Sequence, residues 1–126
     1  MRLFVSSMLI VVAVIHLLPV TGVLGSDRLT ALYGLSFDDA NLAILMRHRA
    51  VLFGLLGLFL LAAAFVPALQ AMAFGAGFVS VISFLYLAAA VGGYNAQVSR
   101  VVTADVIALV CLAAGFAAWL LVRRGG

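Results

Sequence analysis

The chain has no lysine and no glutamate; its charged side chains are seven arginines and four aspartates in 126 residues. Charged residues make up 9% and hydrophobic residues 67%, against about 25% charged in a soluble domain. So little charge excludes a water-soluble fold and makes the bilayer the solvent. The formal net charge of +3 reflects a shortage of acids. No cluster of basic residues suits a nucleic acid. The single cysteine, Cys111, excludes an internal disulfide, and no CxxC or Cys/His ligand set is present. Proline occurs at two positions, Pro19 and Pro67, where it kinks or ends a helix.

What the chain does have is four apolar runs, each long enough to cross about 30 Å of hydrocarbon. They predict spans at about 3–24, 42–66, 68–91 and 101–122, in one integral membrane domain over residues 1–126. Arg2, the apolar run and Val23-Leu-Gly25 resemble a secretory signal. The run is longer than a signal's apolar region, so it reads as a retained span. Leu18-Pro-Val-Thr-Gly22 matches a sortase pentapeptide by chance, since that signal works near a C-terminus. Between the first two spans, Ser26 can cap a short interfacial helix that Gly34 ends, with Tyr33 at headgroup depth. Ser36-Phe-Asp-Asp39 then caps the second span. The third carries Ala73, Gly77, Ser80 and Ser83, with Ala76 beside them, a stripe that lets helices approach closely. On the fourth, Ala113/Ala117 and Ala114/Ala118 suit either intrachain packing or a homodimer. The fold class expected is all-α: an antiparallel four-helix transmembrane bundle with both termini on one side.

Arg2, Arg123 and Arg124 lie at the terminal end with no acid. Arg28, Arg47, Arg49 and Arg100 lie at the other end with all four aspartates. With Arg47 and Arg49 counted as partly within the membrane, the balance puts both termini in the cytoplasm and the protein in a bacterial inner membrane.

At ~1.5 Å per residue, His16 lies ~20 Å from the start of its span, Arg47 ~28 Å from Val66, and Asp105 ~26 Å from Val122. Because the helices alternate in direction, all three fall in the half of the bilayer opposite the termini. Tyr94 and Asn95 sit just outside it. Arg47 shares a helix face with Gly54, Leu58 and Leu61, so it is expected to point inward. Arg49 shares one with Phe53, Leu56 and Leu60 and is expected to snorkel outward. His48 lies between them. Two readings of the triplet stand: an interfacial anchor, or the lip of a polar site. Asp105 is either the counter-ion of Arg47 or a first-turn residue of a helix capped by Thr103. His16 is a neutral ring bonded to a carbonyl freed by Pro19, a proton relay, or an axial haem ligand paired with His48.

Leu32-Tyr-Gly-Leu35, followed by Arg47 and the Gly54/Gly57 helix, resembles the small DoxX-like four-span bacterial membrane proteins. The resemblance implies the four-helix plan, and some members are linked to quinone or thiol redox chemistry; a cysteine pair for the latter is missing here. Similar chains carry the label phosphopantetheine adenylyltransferase, an activity of a soluble α/β fold with a His-x-Gly-His phosphate site. Here the histidines read His16-Leu-Leu-Pro19 and His48-Arg-Ala-Val51, and no glycine-rich strand–helix turn accompanies them. Small multidrug exporters have four spans too, but carry a glutamate in the first.

The expected site is a one-sided polar pocket of His16, Arg47, His48 and Asp105, with Tyr94 and Asn95 at its mouth. It would hold the head of a lipid or quinone, or a membrane partner. A proton-coupled transporter is the alternative, with a bis-histidine haem behind it. No nucleophile–base pair or metal set is legible, which points away from an enzyme.

Overall fold

A computed structural model of the protein describes residues 1–20, 30, 31, 33 and 40–125. It contains four long helices: α1 (Arg2–Leu17), α2 (Ala40–Phe65), α3 (Gln70–Val91) and α4 (Ala96–Gly125). Each is long and apolar enough to cross a membrane, α1 together with the turn that follows it and α3 together with the turn that precedes it. The described residues contain no strand, and the fold is an all-α four-helix bundle.

Helix α1 packs on α2 and α4, and α3 packs on the same two, so α1 and α3 stand across the diagonal. Neighbours run antiparallel. The Ser6 hydroxyl near the start of α1 donates to Ala64 O near the end of α2, at 2.6 Å. Phe74, early in α3, lies 6.1 Å from Trp119, late in α4. Outward-facing positions such as Leu3, Phe65, Val79 and Val91 are more than two-thirds exposed, which suits contact with lipid.

Leu9, Val12, Leu60, Phe74, Val81 and Leu112 fill the centre. Small residues set how closely the helices approach. A Cβ on Gly115 would lie 2.9 Å from Met8 Cβ, so α1 and α4 meet nearly backbone to backbone there. Ala73 and Gly77 of the expected small-residue stripe are buried, while Ser83 faces out and donates to Ser80 O. Ala118 is buried and Ala114 half-buried, whereas Ala113 and Ala117 remain on the outside.

The ends follow from local chemistry. Helix α1 stops at Leu17, and residues 18–20, which include Pro19, form a single 3-10 turn, so the helix ends earlier than the apolar run. Pro67 has no N–H to offer Ala63 O, four residues back. Gln70 Nε2 takes that place at 3.1 Å, and a 3-10 turn over Pro67–Leu69 leads into α3. Gly92 and Gly93 adopt φ of 65° and 67°, the left-handed region that glycine enters without strain.

Helix α4 starts earlier than its apolar run suggests. Asn95 caps it, its Oδ1 accepting from Val98 N at 2.8 Å. Thr103 is not the cap; its hydroxyl donates to Ser99 O, one turn back inside the helix. Asp105 is therefore well within α4 rather than in its first turn. Residues 30, 31 and 33 are helical, in the stretch expected to hold the interfacial helix. The remainder of Ser26–Gly34 and the cap expected at Ser36–Asp39 lie outside the described residues.

Candidate functional site

At the end of the bundle away from the termini, α1, α2 and α4 enclose a cavity of about 240 Å³. Its polar walls are His16, Arg49, Gln97, Arg100 and Asp105; Tyr33 and Phe53 complete it. A second, apolar cavity of about 390 Å³ lies between α2 and α3, against Leu42, Met46, Phe84, Leu87 and Tyr94. Tyr33 and Arg49 line both and form the wall between them.

Arg49, not Arg47, turns into the protein. Its Nη1 donates to Tyr33 Oη at 2.5 Å. Its guanidinium lies 4.4 Å from the Phe53 ring centre, 5.5 Å from that of Tyr33 and 5.7 Å from that of Phe84. Three aromatic rings around one half-buried guanidinium each add cation–π attraction, of about 0.5–2 kcal/mol depending on how far water is excluded. Arg47 and His48 are both exposed. The inward face of α2 runs through Phe53, Leu56 and Leu60, with Leu60 fully buried, while Leu58 on the Arg47 side is 57% exposed. Gly54 was the misleading signal. Among the described residues a Cβ there would meet Val20 alone, at 3.3 Å, whereas one on Gly57, about 60° further round toward Leu60, would run into Leu17 and the Ala13 carbonyl.

His16 is buried, with both ring nitrogens engaged. Nδ1 lies 2.9 Å from Val12 O. A carbonyl only accepts, so Nδ1 carries the hydrogen, and in the neutral ring Nε2 accepts from the Ser80 hydroxyl at 3.0 Å. The carbonyl is thus Val12's, one turn back, and not the one that Pro19 frees. The ring meets Phe53 edge to face at 5.7 Å, which links it to the Arg49 cage.

Asp105 faces the same cavity, where the Arg49 charge acts on its carboxylate. Arg49, rather than Arg47, is the cation across from it. Among the described residues no hydrogen bond or ion pair holds Asp105. The cavity thus contains a half-buried carboxylate and an inward-turned guanidinium that do not close on each other.

Tyr33 is 7% exposed, so it is a buried wall rather than an interfacial anchor. It packs against Met46, Val98 and Val101, and Asn95 Nδ2 donates to its carbonyl at 2.7 Å. Asn95 therefore positions Tyr33 and caps α4 at once. Tyr94 is 45% exposed and borders the apolar cavity.

Of the residues expected in one pocket, the structure brings His16 and Asp105 together, places Tyr94 and Asn95 at the margin, and leaves Arg47 and His48 outside. Arg49, Tyr33 and Phe53 line it in their place, and Ser80 holds His16. The bis-histidine haem pair is not assembled, because His48 is exposed and both His16 nitrogens are bonded within the protein. No group of three metal-ligating side chains occurs among the described residues. Nor, among the described residues, do the polar groups continue along α1: between Ser6 and His16 it buries Leu9 and Val12, with Leu60 and Phe74 in the same core.

The chain matches no protein-family profile, no curated protein and no solved structure. The site is therefore read from its own geometry.

Proposed function

We propose that this membrane protein binds an amphipathic molecule, a quinone or a lipid. The polar head would sit in the His16–Arg49–Asp105 cavity and the hydrocarbon tail against Phe84 and Leu87. One observation carries the reading: Arg49 and Tyr33 form the shared wall of a polar cavity and an apolar one. A head group seated there meets donors from Arg49 and Arg100 and an acceptor at Asp105, while the tail stays in an environment like lipid. The polar cavity alone falls below the ~300–1,000 Å³ of small-ligand sites, and the two cavities together fall within that range.

Binding is preferred to proton-coupled transport because an apolar layer separates His16 from the terminal end of the bundle. A relay needs a chain of polar groups or water across that layer. The bacterial inner membrane, both termini in the cytoplasm and a DoxX-like kinship belong to the same proposal. With Arg49 and Arg100 lining the cavity, Arg2, Arg123 and Arg124 face only Arg28 and Arg47 in the charge balance. The exposed Ala113 and Ala117 leave a small-residue strip for a homodimer or another membrane protein.

Equilibrium binding of a spin-labelled decyl benzoquinone and a spin-labelled phospholipid to the purified protein tests the reading. Loss of a charge-assisted hydrogen bond is worth ~1.5–3 kcal/mol, so Arg49→Gln should weaken binding by about tenfold or more. Arg47→Gln should leave it nearly unchanged. Equal affinity in wild type and Arg49→Gln would remove the proposed site.

A further inference from the structure

A third cavity, about 750 Å³, lies at the opposite end, where the chain begins and ends. Its mouth carries Arg2 from the start of α1 and Arg123 from the end of α4, both exposed. Phe65 and Trp119 supply apolar walls, with Ser6 and Gln70 deeper in. Arg123 stacks on Trp119, its guanidinium 4.9 Å from the ring centre. Gln70 is 8% exposed. Its amide nitrogen is taken up by Ala63 O, and its carbonyl oxygen has no partner among the described residues.

Among the described residues no acidic side chain borders the cavity. Two guanidiniums from opposite ends of the sequence thus converge on an opening whose walls are hydrocarbon and indole. A free anion would gain nothing from those walls, whereas a lipid offers a phosphate to the arginines and a chain to the walls. An unused acceptor inside favours a head group that brings a hydroxyl. We infer that this cavity is a binding site for an anionic phospholipid, with the phosphate between Arg2 and Arg123 and the acyl chain along Phe65 and Trp119. The site is separate from the His16–Arg49–Asp105 cavity, and its test does not depend on that one.

Trp119 is the sole tryptophan, so its fluorescence reports on this cavity alone. The protein is reconstituted in phosphatidylcholine vesicles containing a minor fraction of brominated phosphatidylglycerol or of brominated phosphatidylcholine. Brominated phosphatidylglycerol should quench more strongly at equal mole fraction. Each arginine near an anionic head group contributes about fivefold to the association constant. The preference should therefore fall by about that factor in Arg2→Gln and in Arg123→Gln and vanish in the double variant, with helicity by circular dichroism unchanged. Arg124→Gln, which alters charge outside the cavity, should keep the preference. Equal quenching by the two lipids in wild type would overturn the site. So would a loss in Arg124→Gln as large as in the double variant, which would mean diffuse surface charge. Displacement of the brominated lipid by millimolar inorganic phosphate would overturn the lipid assignment.

Discussion

His16 Nε2 and Ser80 Oγ meet at 3.0 Å across the diagonal of the bundle, joining α1 to α3. The bond lies above an apolar centre and beside the polar cavity, so it braces the floor of the proposed site. Interhelical hydrogen bonds inside membranes average ~0.6 kcal/mol, with a maximum near 1.7. Ser80→Ala should therefore destabilise the protein by about 1 kcal/mol in a denaturant titration in micelles. His16→Leu should cost more, because it also removes the contacts with Val12 O and Phe53. The double variant should cost less than the sum of the two. Strict additivity would show that the pair does not interact.

Packing at the glycines separates close approach from mere flexibility. Gly115→Ala places a methyl against Met8 Cβ, which cannot swing away as a side-chain tip can. It should cost ~1–3 kcal/mol, the usual range for overpacking a tight core. Gly75→Ala meets nothing within 4 Å among the described residues and should stabilise α3 by ~0.5–1 kcal/mol. Thermal unfolding of the two variants in the same detergent checks both signs.

Arg49 and Asp105 face one another in one cavity, and Arg47 does not take part. A double-mutant cycle of Arg49→Gln with Asp105→Asn should show a coupling of ~0.5–3 kcal/mol in stability or ligand affinity. The same cycle with Arg47→Gln should be additive. Coupling of Asp105 to Arg47 alone would restore the assignment that helix phasing suggested.

Tyr33 is held at both ends, by Arg49 at its hydroxyl and by Asn95 at its carbonyl. Tyr33→Phe should leave the Arg49 guanidinium on its aromatic cage but short of an acceptor. It should weaken binding of the head group less than Arg49→Gln does. Asn95→Ala loses a helix cap worth ~1 kcal/mol as well as the Tyr33 bond, so stability and affinity should fall together. A loss of stability with affinity intact would separate Asn95 from the site.

The sequence made the bundle legible because apolar runs of spanning length leave few other structures in lipid. It also made legible the gathering of His16 and Asp105 away from the termini, since depth follows from helical rise alone. Rotation was not legible. Helix α2 is apolar on every side, so no hydrophobic face marked its interior, and Gly54 pointed to Arg47. The large residues Phe53, Leu56 and Leu60 carried the better signal, because an inward-turned guanidinium needs aromatic and apolar neighbours along its stem. Ser80 could be placed on a packing stripe but not paired with His16, since nothing local records which helix stands across a diagonal. The start of α4 was missed because Ala96–Arg100 is polar, although Asn95 is a good cap.

The most direct test is photolabelling in vesicles with a decyl benzoquinone and a phospholipid, each carrying a diazirine on its head group, followed by peptide mapping. The account predicts label from at least one of them on the Ile15–Pro19, Arg49–Phe53 and Gln97–Asp105 segments, suppressed by excess unlabelled ligand and lost in Arg49→Gln. Label from both probes spread over outward residues such as Leu3, Val79 and Val91, equally in wild type and variant, would contradict it.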